Sequence, residues 1–170
     1  MSAAKEYRRI KHTIDSYESR LQDIGEEVFQ KTPSIGGWSY SEVYFHIFDA
    51  SILALQTIEE CIEGKGEVKP TAFIVKMILF FGSLPPGKKY KAPKRLAERL
   101  RKIDKNEALI LIKQFRKELD EAHPKISKAN KNIKTRHPRM GYLNAFQWLR
   151  FMEIHLNHHL KQLMRIDKSF

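Results

Sequence analysis

The chain has 170 residues, 42% of them hydrophobic and 30% charged, with a formal net charge of +11 and a pI of about 9.7. That length predicts a single domain over residues 1–170, with enough chain for a real core. A single cysteine, Cys61, excludes a disulfide framework or a cysteine zinc cluster within one chain, and no apolar run is long enough to span a bilayer.

The first helix is predicted over about residues 5–30. Ile10, Ile14, Tyr17, Leu21 and Ile24 recur at spacings of three and four, and Pro33 with Gly36-Gly37 ends the run. The second opens at Ser39-Tyr-Ser-Glu42, a capping-box spacing, and runs to about Ile62 before Gly64. A connector of about residues 64–103 follows, and Phe73–Phe81 within it predicts a short helix. The third long helix opens at Asp104-Lys-Asn-Glu107 and carries Leu109, Ile112, Phe115 and Leu119 until Pro124 ends or kinks it. The fourth opens near Asn144 and runs to about Ile166. Alternating strand patterns are almost absent. The fold class predicted is all-α, a four-helix bundle with one long crossover connection.

The basic residues concentrate in Lys88–Lys102 and in Lys125–Arg139. A pI this high invites nucleic acid, anionic lipid or an anionic small molecule, but both stretches read as connectors and helix ends. A solvated basic surface is the plainer expectation, and nucleic acid is not expected as the partner. The opening stretch MSAAKEYRRIKH lacks the apolar centre of a secretory signal, so a cytoplasmic location and no membrane partner are expected.

The fourth helix carries the unusual chemistry, in RFMEIHLNHHLKQLMRI. His155 and His159 stand at i,i+4 on one face, a stripe shared with Trp148, Met152, Gln162 and Ile166. Beside it runs a second apolar stripe of Phe146, Leu149, Leu156, Leu160 and Leu163. The two imidazoles therefore point inward, where they need hydrogen bonds or a metal. A satisfied core pair and a metal-binding pair both fit. The glutamate of a zincin helix is missing, since Leu156 follows His155. His158 belongs to the margin, with Phe151, Ile154, Lys161 and Arg165, although His155 and His158 form a competing pair. A third ligand would come from another helix. His46, beside Glu42 and Asp49, is the residue for that role; alone it reads as a half-exposed surface histidine.

Two segments together resemble the DinB/YfiT-like superfamily of metalloenzymes. One is Trp38 followed by a helix bearing His46 and then Asp49. The other is His137-Pro-Arg-Met-Gly141, then Trp148 and His155-Leu-Asn-His158-His159-Leu-Lys-Gln162. The resemblance covers nearly the whole chain and implies a four-helix bundle, usually dimeric. Carried over by position, it implies His46, His155 and His159 as ligands of a divalent ion such as zinc or nickel. It also implies an open coordination position, a small-molecule substrate and, in some relatives, a low-molecular-weight thiol as cosubstrate.

On this reading the chain is a metal-dependent transferase or hydrolase. A non-catalytic bundle with a structural or vestigial metal site is the first alternative, and a basic nucleic-acid-binding module the second. Gln162 is expected to orient a ligand, and Asp49 or Glu42 to accept the second ring hydrogen of His46. Trp38 is expected to staple the start of the second helix, Trp148 to fill the core, and His137-Pro138 to shape a connector. His12 and His123 suggest no partners, and Cys61 reads as a small buried residue. Phe73, Ile74, Met77, Ile78 and Phe81 must cover their own bundle or a partner, so a homodimer is expected. Lys88, Lys89, Lys91, Arg136 and Arg139 are the residues placed to hold an anionic substrate at the rim.

Overall fold

The first predicted helix is two helices. In the computed structural model, which describes residues 2–34, 36–85 and 98–170, α1 spans Ala3–Asp23 and α2 spans Glu26–Gln30. Ile24 and Gly25 adopt extended backbone between them. The break redirects the chain so that Phe29, fully buried, meets the Tyr44 ring at 5.5 Å. One continuous helix would have carried Phe29 past that pocket.

Next comes α3, Tyr40–Ile62, opened by the reciprocal Ser39–Glu42 capping box. Ser39 N donates to Glu42 Oε2 at 2.8 Å, and Glu42 N donates to Ser39 Oγ at 3.3 Å. After β1 (Glu67–Val68) comes α4, Phe73–Phe81, within the predicted bounds. The next described helix, α5, is Lys105–Ile126. Its cap is one-way: Asp104 Oδ1 accepts from Glu107 N at 2.7 Å, while the Glu107 carboxylate pairs with Arg101 instead. Pro124 does not end α5, which continues to Ile126. A proline in the last turn forfeits one hydrogen bond near an end that frays anyway.

The stretch that reads as a plain basic connector forms strands. β2 is Ile133–His137 and β3 is Gly141–Leu143, an antiparallel pair with Thr135 opposite Leu143 and His137 opposite Gly141. β1 adds to the other edge of β2, pairing Val68 with Ile133. These strands are too short to show a period-two hydrophobic pattern, and the buried member of β2 is a polar residue, Thr135. Its hydroxyl accepts from Trp148 Nε1 at 2.9 Å and contacts Cys61 Sγ at 3.1 Å. Cys61 is thereby a buried structural thiol, and burial pushes its pKa up. The last helix, α6, is Ala145–Asp167, opened by a second reciprocal box between Asn144 and Gln147.

The long helices α1, α3, α5 and α6 form the bundle, with α3 packed on α5 and α6, and α1 on the same two. Tyr17, Tyr44, Phe48 and Phe115 fill the centre at edge-on or tilted ring contacts. Both tyrosine hydroxyls stay satisfied: Tyr17 donates to the Leu156 carbonyl at 2.8 Å and Tyr44 to the Tyr17 carbonyl at 2.9 Å. His123, without a partner in the sequence reading, stacks on Tyr7 at 4.1 Å.

A buried charge cluster ties α4 to the bundle. Arg150 Nη1 donates to Glu6 Oε2 at 2.9 Å and to Glu153 Oε2 at 2.7 Å, while Nε donates to the Leu79 carbonyl at 2.9 Å. Gly82 caps α4 at φ 70°, and a side chain there would collide with the Arg150 guanidinium. α4 inserts Val75 and Leu79 but exposes Phe73 (77%), Ile74 (63%), Phe80 (68%) and Phe81 (67%). Among the described residues no helix is long and apolar enough to cross a membrane.

Candidate metal centre

Two helices bring three imidazoles to one point. On α6, His155 and His159 sit one turn apart on the inward face, and their Nε2 atoms lie 3.0 Å from each other. From α3, His46 meets both, with ring centroids 5.4 Å from His155 and 4.9 Å from His159. One ring nitrogen from each of the three lies within 4.8 Å of the other two. His46 is not at a half-exposed rim: it is 6% exposed, because α6 covers that edge of α3.

Burial also fixes the charge state. It lowers the His46 pKa to about 4, with the Asp49 carboxylate pulling weakly the other way. His155 and His159 are held well below the ordinary histidine value, first by burial and then by neighbouring imidazoles, His159 and His46 for His155, and His46 and His158 for His159. All three are therefore neutral at physiological pH, with lone pairs free to coordinate. Gln162 selects which one. Its Oε1 can only accept, and it lies 2.8 Å from His159 Nδ1, so that nitrogen carries the hydrogen and Nε2 keeps its lone pair.

The donor set fits a divalent ion. Nitrogen ligands of a tetrahedral zinc-like site stand roughly 3.3 Å apart at bond lengths of about 2.0–2.1 Å, close to the His155–His159 spacing. Three ligands would leave a coordination position open. Gln162 sits beside His159, in hydrogen-bond contact with its ring.

Asp49 and Glu42 do not serve His46. Arg99 holds Asp49 through two bonds, Nε to Oδ2 at 2.9 Å and Nη2 to Oδ1 at 2.5 Å. Glu42 is committed to the Ser39 cap, with Ser39 N and Oγ both donating to Oε2. The Ser39 partner is the one the capping-box spacing gives, whereas Arg99 lies outside the helix pattern.

His158 stays at the margin. Its ring touches His159 at 5.1 Å, but it is half-buried and does not join the converging group. His137 lies beyond Phe151: it packs on Trp148 at 5.0 Å and Phe151 at 4.5 Å, and Phe151 stacks on His155 at 5.6 Å. His137 Nδ1 accepts from the backbone N–H groups of Arg139 and Met140, shaping the β2–β3 turn. Arg136 and Arg139 belong to this hairpin and are exposed. Lys88, Lys89 and Lys91 lie outside the described residues.

Trp38 makes contacts beyond those the sequence pattern predicts. Its indole does more than staple the start of α3: it lies 4.9 Å from the His46 ring and 6.1 Å from the His159 ring. The contact with His159 arises only because α6 approaches the loop before α3, so helical periodicity carries no sign of it.

The family model for the DinB superfamily matches residues 9–163. Comparison with curated proteins gives no match. Two solved structures share the fold. TT2238, described as a four-helix bundle protein, is 17% identical with a TM-score of 0.60, over 96% of this chain and 99% of that one. YfiT from Bacillus subtilis, described as "a probable metal-dependent hydrolase with an unusual four-helix bundle topology", is 11% identical with a TM-score of 0.66, over 99% of this chain and 89% of that one. The match extends over nearly all of the bundle and both helices that carry the histidines: the chain belongs to the DinB superfamily.

Proposed function

We propose that this protein is a metal-dependent enzyme acting on a small molecule, with His46, His155 and His159 holding one divalent ion, zinc or nickel. The observation that carries this is the convergence of three neutral imidazoles, His46 and His159 buried and His155 half-buried, with one tautomer fixed by Gln162. Satisfied core histidines would pair with carbonyls or hydroxyls. Here the nearest polar neighbours of the Nε2 atoms of His155 and His159 are each other. An ion so held supplies Lewis acidity, making a water or thiol more acidic than in bulk solution. The chain's own residues orient the donors, exclude bulk water on the α3–α6 side and hold the nearby Asp49 carboxylate in an ion pair with Arg99. The reaction is hydrolysis or transfer to a low-molecular-weight thiol; the YfiT description favours the first.

We also propose that the exposed face of α4 pairs with a second copy of the chain. Phe73, Ile74, Phe80 and Phe81 form an aromatic-rich patch of roughly 500 Å², which paired isologously gives about 1,000 Å² in total, the lower bound for a specific interface, to which the rim around α4 would add.

The decisive experiment is metal analysis of protein purified without a polyhistidine tag. One equivalent of a divalent ion, lost in His46→Ala and His159→Ala, is the expected result. A stoichiometry near zero after incubation with zinc or nickel would rule the reading out. Retained metal with no turnover of model esters, amides or thiol acceptors would favour the structural-site alternative.

A further inference from the structure

The loop before α3 places an indole against two of the three imidazoles, and its construction is specific. Gly36 and Gly37 take φ of 74° and 92°, conformations that side chains rarely adopt. A Cβ added at either would meet nothing within 4 Å, so these glycines serve the backbone path and not close packing. The Ser39–Glu42 box then locks the next residue. Between these two constraints Trp38 has a fixed direction, toward the seam of α3 and α6.

The rings around the site are not equivalent. Phe151, 8% exposed, closes the side of His155. Trp38 is half-buried, and so is His155. The indole lies within 6° of the plane of His159 and at 58° to His46. Trp38 and His155, like Gln162 and His158 beside them, still meet solvent, and of these Trp38 offers the broadest apolar face to a ligand approaching the ion.

Charge narrows the ligand. Neutral imidazoles leave a divalent ion's charge uncompensated. The two acids that flank His46 on α3 are engaged elsewhere, Asp49 by Arg99 and Glu42 by the cap. The favoured head group is an anion, and the favoured body is one that fits an aromatic wall.

Resting on the metal reading above, we propose that Trp38 determines specificity at this site. Its indole receives the apolar, planar part of a ligand whose anionic head occupies the ion's open position. Ligands with an aromatic or flat apolar body next to the anionic group are preferred over equally acidic ligands without one.

The test uses two probes with the same head group, acetohydroxamate and benzohydroxamate, on the cobalt-loaded full chain. Binding is read from the visible absorption of cobalt, so no turnover is needed. The unmodified protein is expected to prefer benzohydroxamate about tenfold, the scale of an aromatic contact. Trp38→Leu should bring the ratio near one with cobalt affinity unchanged, and Trp38→Phe should fall between. Trp148→Phe leaves Trp38 as the sole tryptophan, and cobalt should quench its fluorescence. An unchanged ratio in Trp38→Leu overturns the proposal. So does a parallel loss of cobalt affinity, which would make Trp38 a support for the ligands. Cobalt bound without quenching overturns this proposal alone, whereas no cobalt bound at all overturns the metal reading with it.

Discussion

Gln162 Oε1 stands 2.8 Å from His159 Nδ1, and that contact commits the opposite nitrogen of the ring to the His46–His155 cluster. Gln162 is three residues along α6 from His159, so a local helical relationship sets the chemistry of a site assembled from two helices. Replacing Gln162 with Leu removes the acceptor. Metal affinity is expected to fall 10- to 100-fold, the usual cost of losing such a partner, while Gln162→Glu keeps it. Competition with a chromogenic chelator measures both; equal affinities for all three proteins would contradict the assignment.

His158 and His159 are neighbours with different fates. His159 is buried in the cluster, and His158 lies at its margin beside Lys161 and Arg165. His158→Ala should keep one equivalent of metal, and His159→Ala should lose most of it. Calorimetric titration with zinc separates the two, and matching losses would point to the wrong pair.

The His137 turn predicts a pH dependence. Burial lowers this imidazole to about 4, and Nδ1 accepts two backbone hydrogen bonds, from Arg139 at 3.1 Å and Met140 at 3.0 Å. Protonation would turn that acceptor into a donor. Between pH 6.5 and 4 the unfolded chain takes up a proton that the folded chain refuses, so stability falls as pH falls through that window. The slope is at most about 1.4 kcal/mol per pH unit. His137→Asn supplies an acceptor that does not titrate. Denaturant melts at pH 6.5 and 4.5 should show the unmodified protein losing about 2 kcal/mol more than the variant. Identical losses would remove His137 from the account.

Arg150 neutralises two buried carboxylates at once. Burial raises the Glu153 pKa against the pull of Arg150, and one Glu6 oxygen has no hydrogen-bond partner. Arg150→Met should therefore cost roughly 3–5 kcal/mol in denaturant unfolding, because it strands charge in the interior. Arg150→Met with Glu6→Gln and Glu153→Gln should recover part of that loss. A single variant as stable as the parent would show that the cluster is solvated.

If α4 seals an interface, Phe80→Glu with Phe81→Glu should give a monomer by light scattering, with metal content unchanged. A monomer already in the unmodified protein would leave that face without its proposed partner.

Helix spacing, capping and residue type were enough to predict a four-helix all-α bundle, the short α4 and the face shared by His155, His159 and Gln162. These are local properties: a 3.6-residue period and an i,i+3 cap are written in neighbouring residues. What tertiary structure decided is everything that depends on two segments meeting. It broke the first helix at Ile24-Gly25 so that Phe29 reaches Tyr44. It turned a basic connector into β2 and β3 around a buried threonine, where polar identity hides the alternation. It buried His46 by laying α6 across its edge, gave Asp49 to Arg99 from fifty residues away, and set Trp38 on the imidazoles. A helical projection orders residues around one axis, and it carries no term for the distance between two.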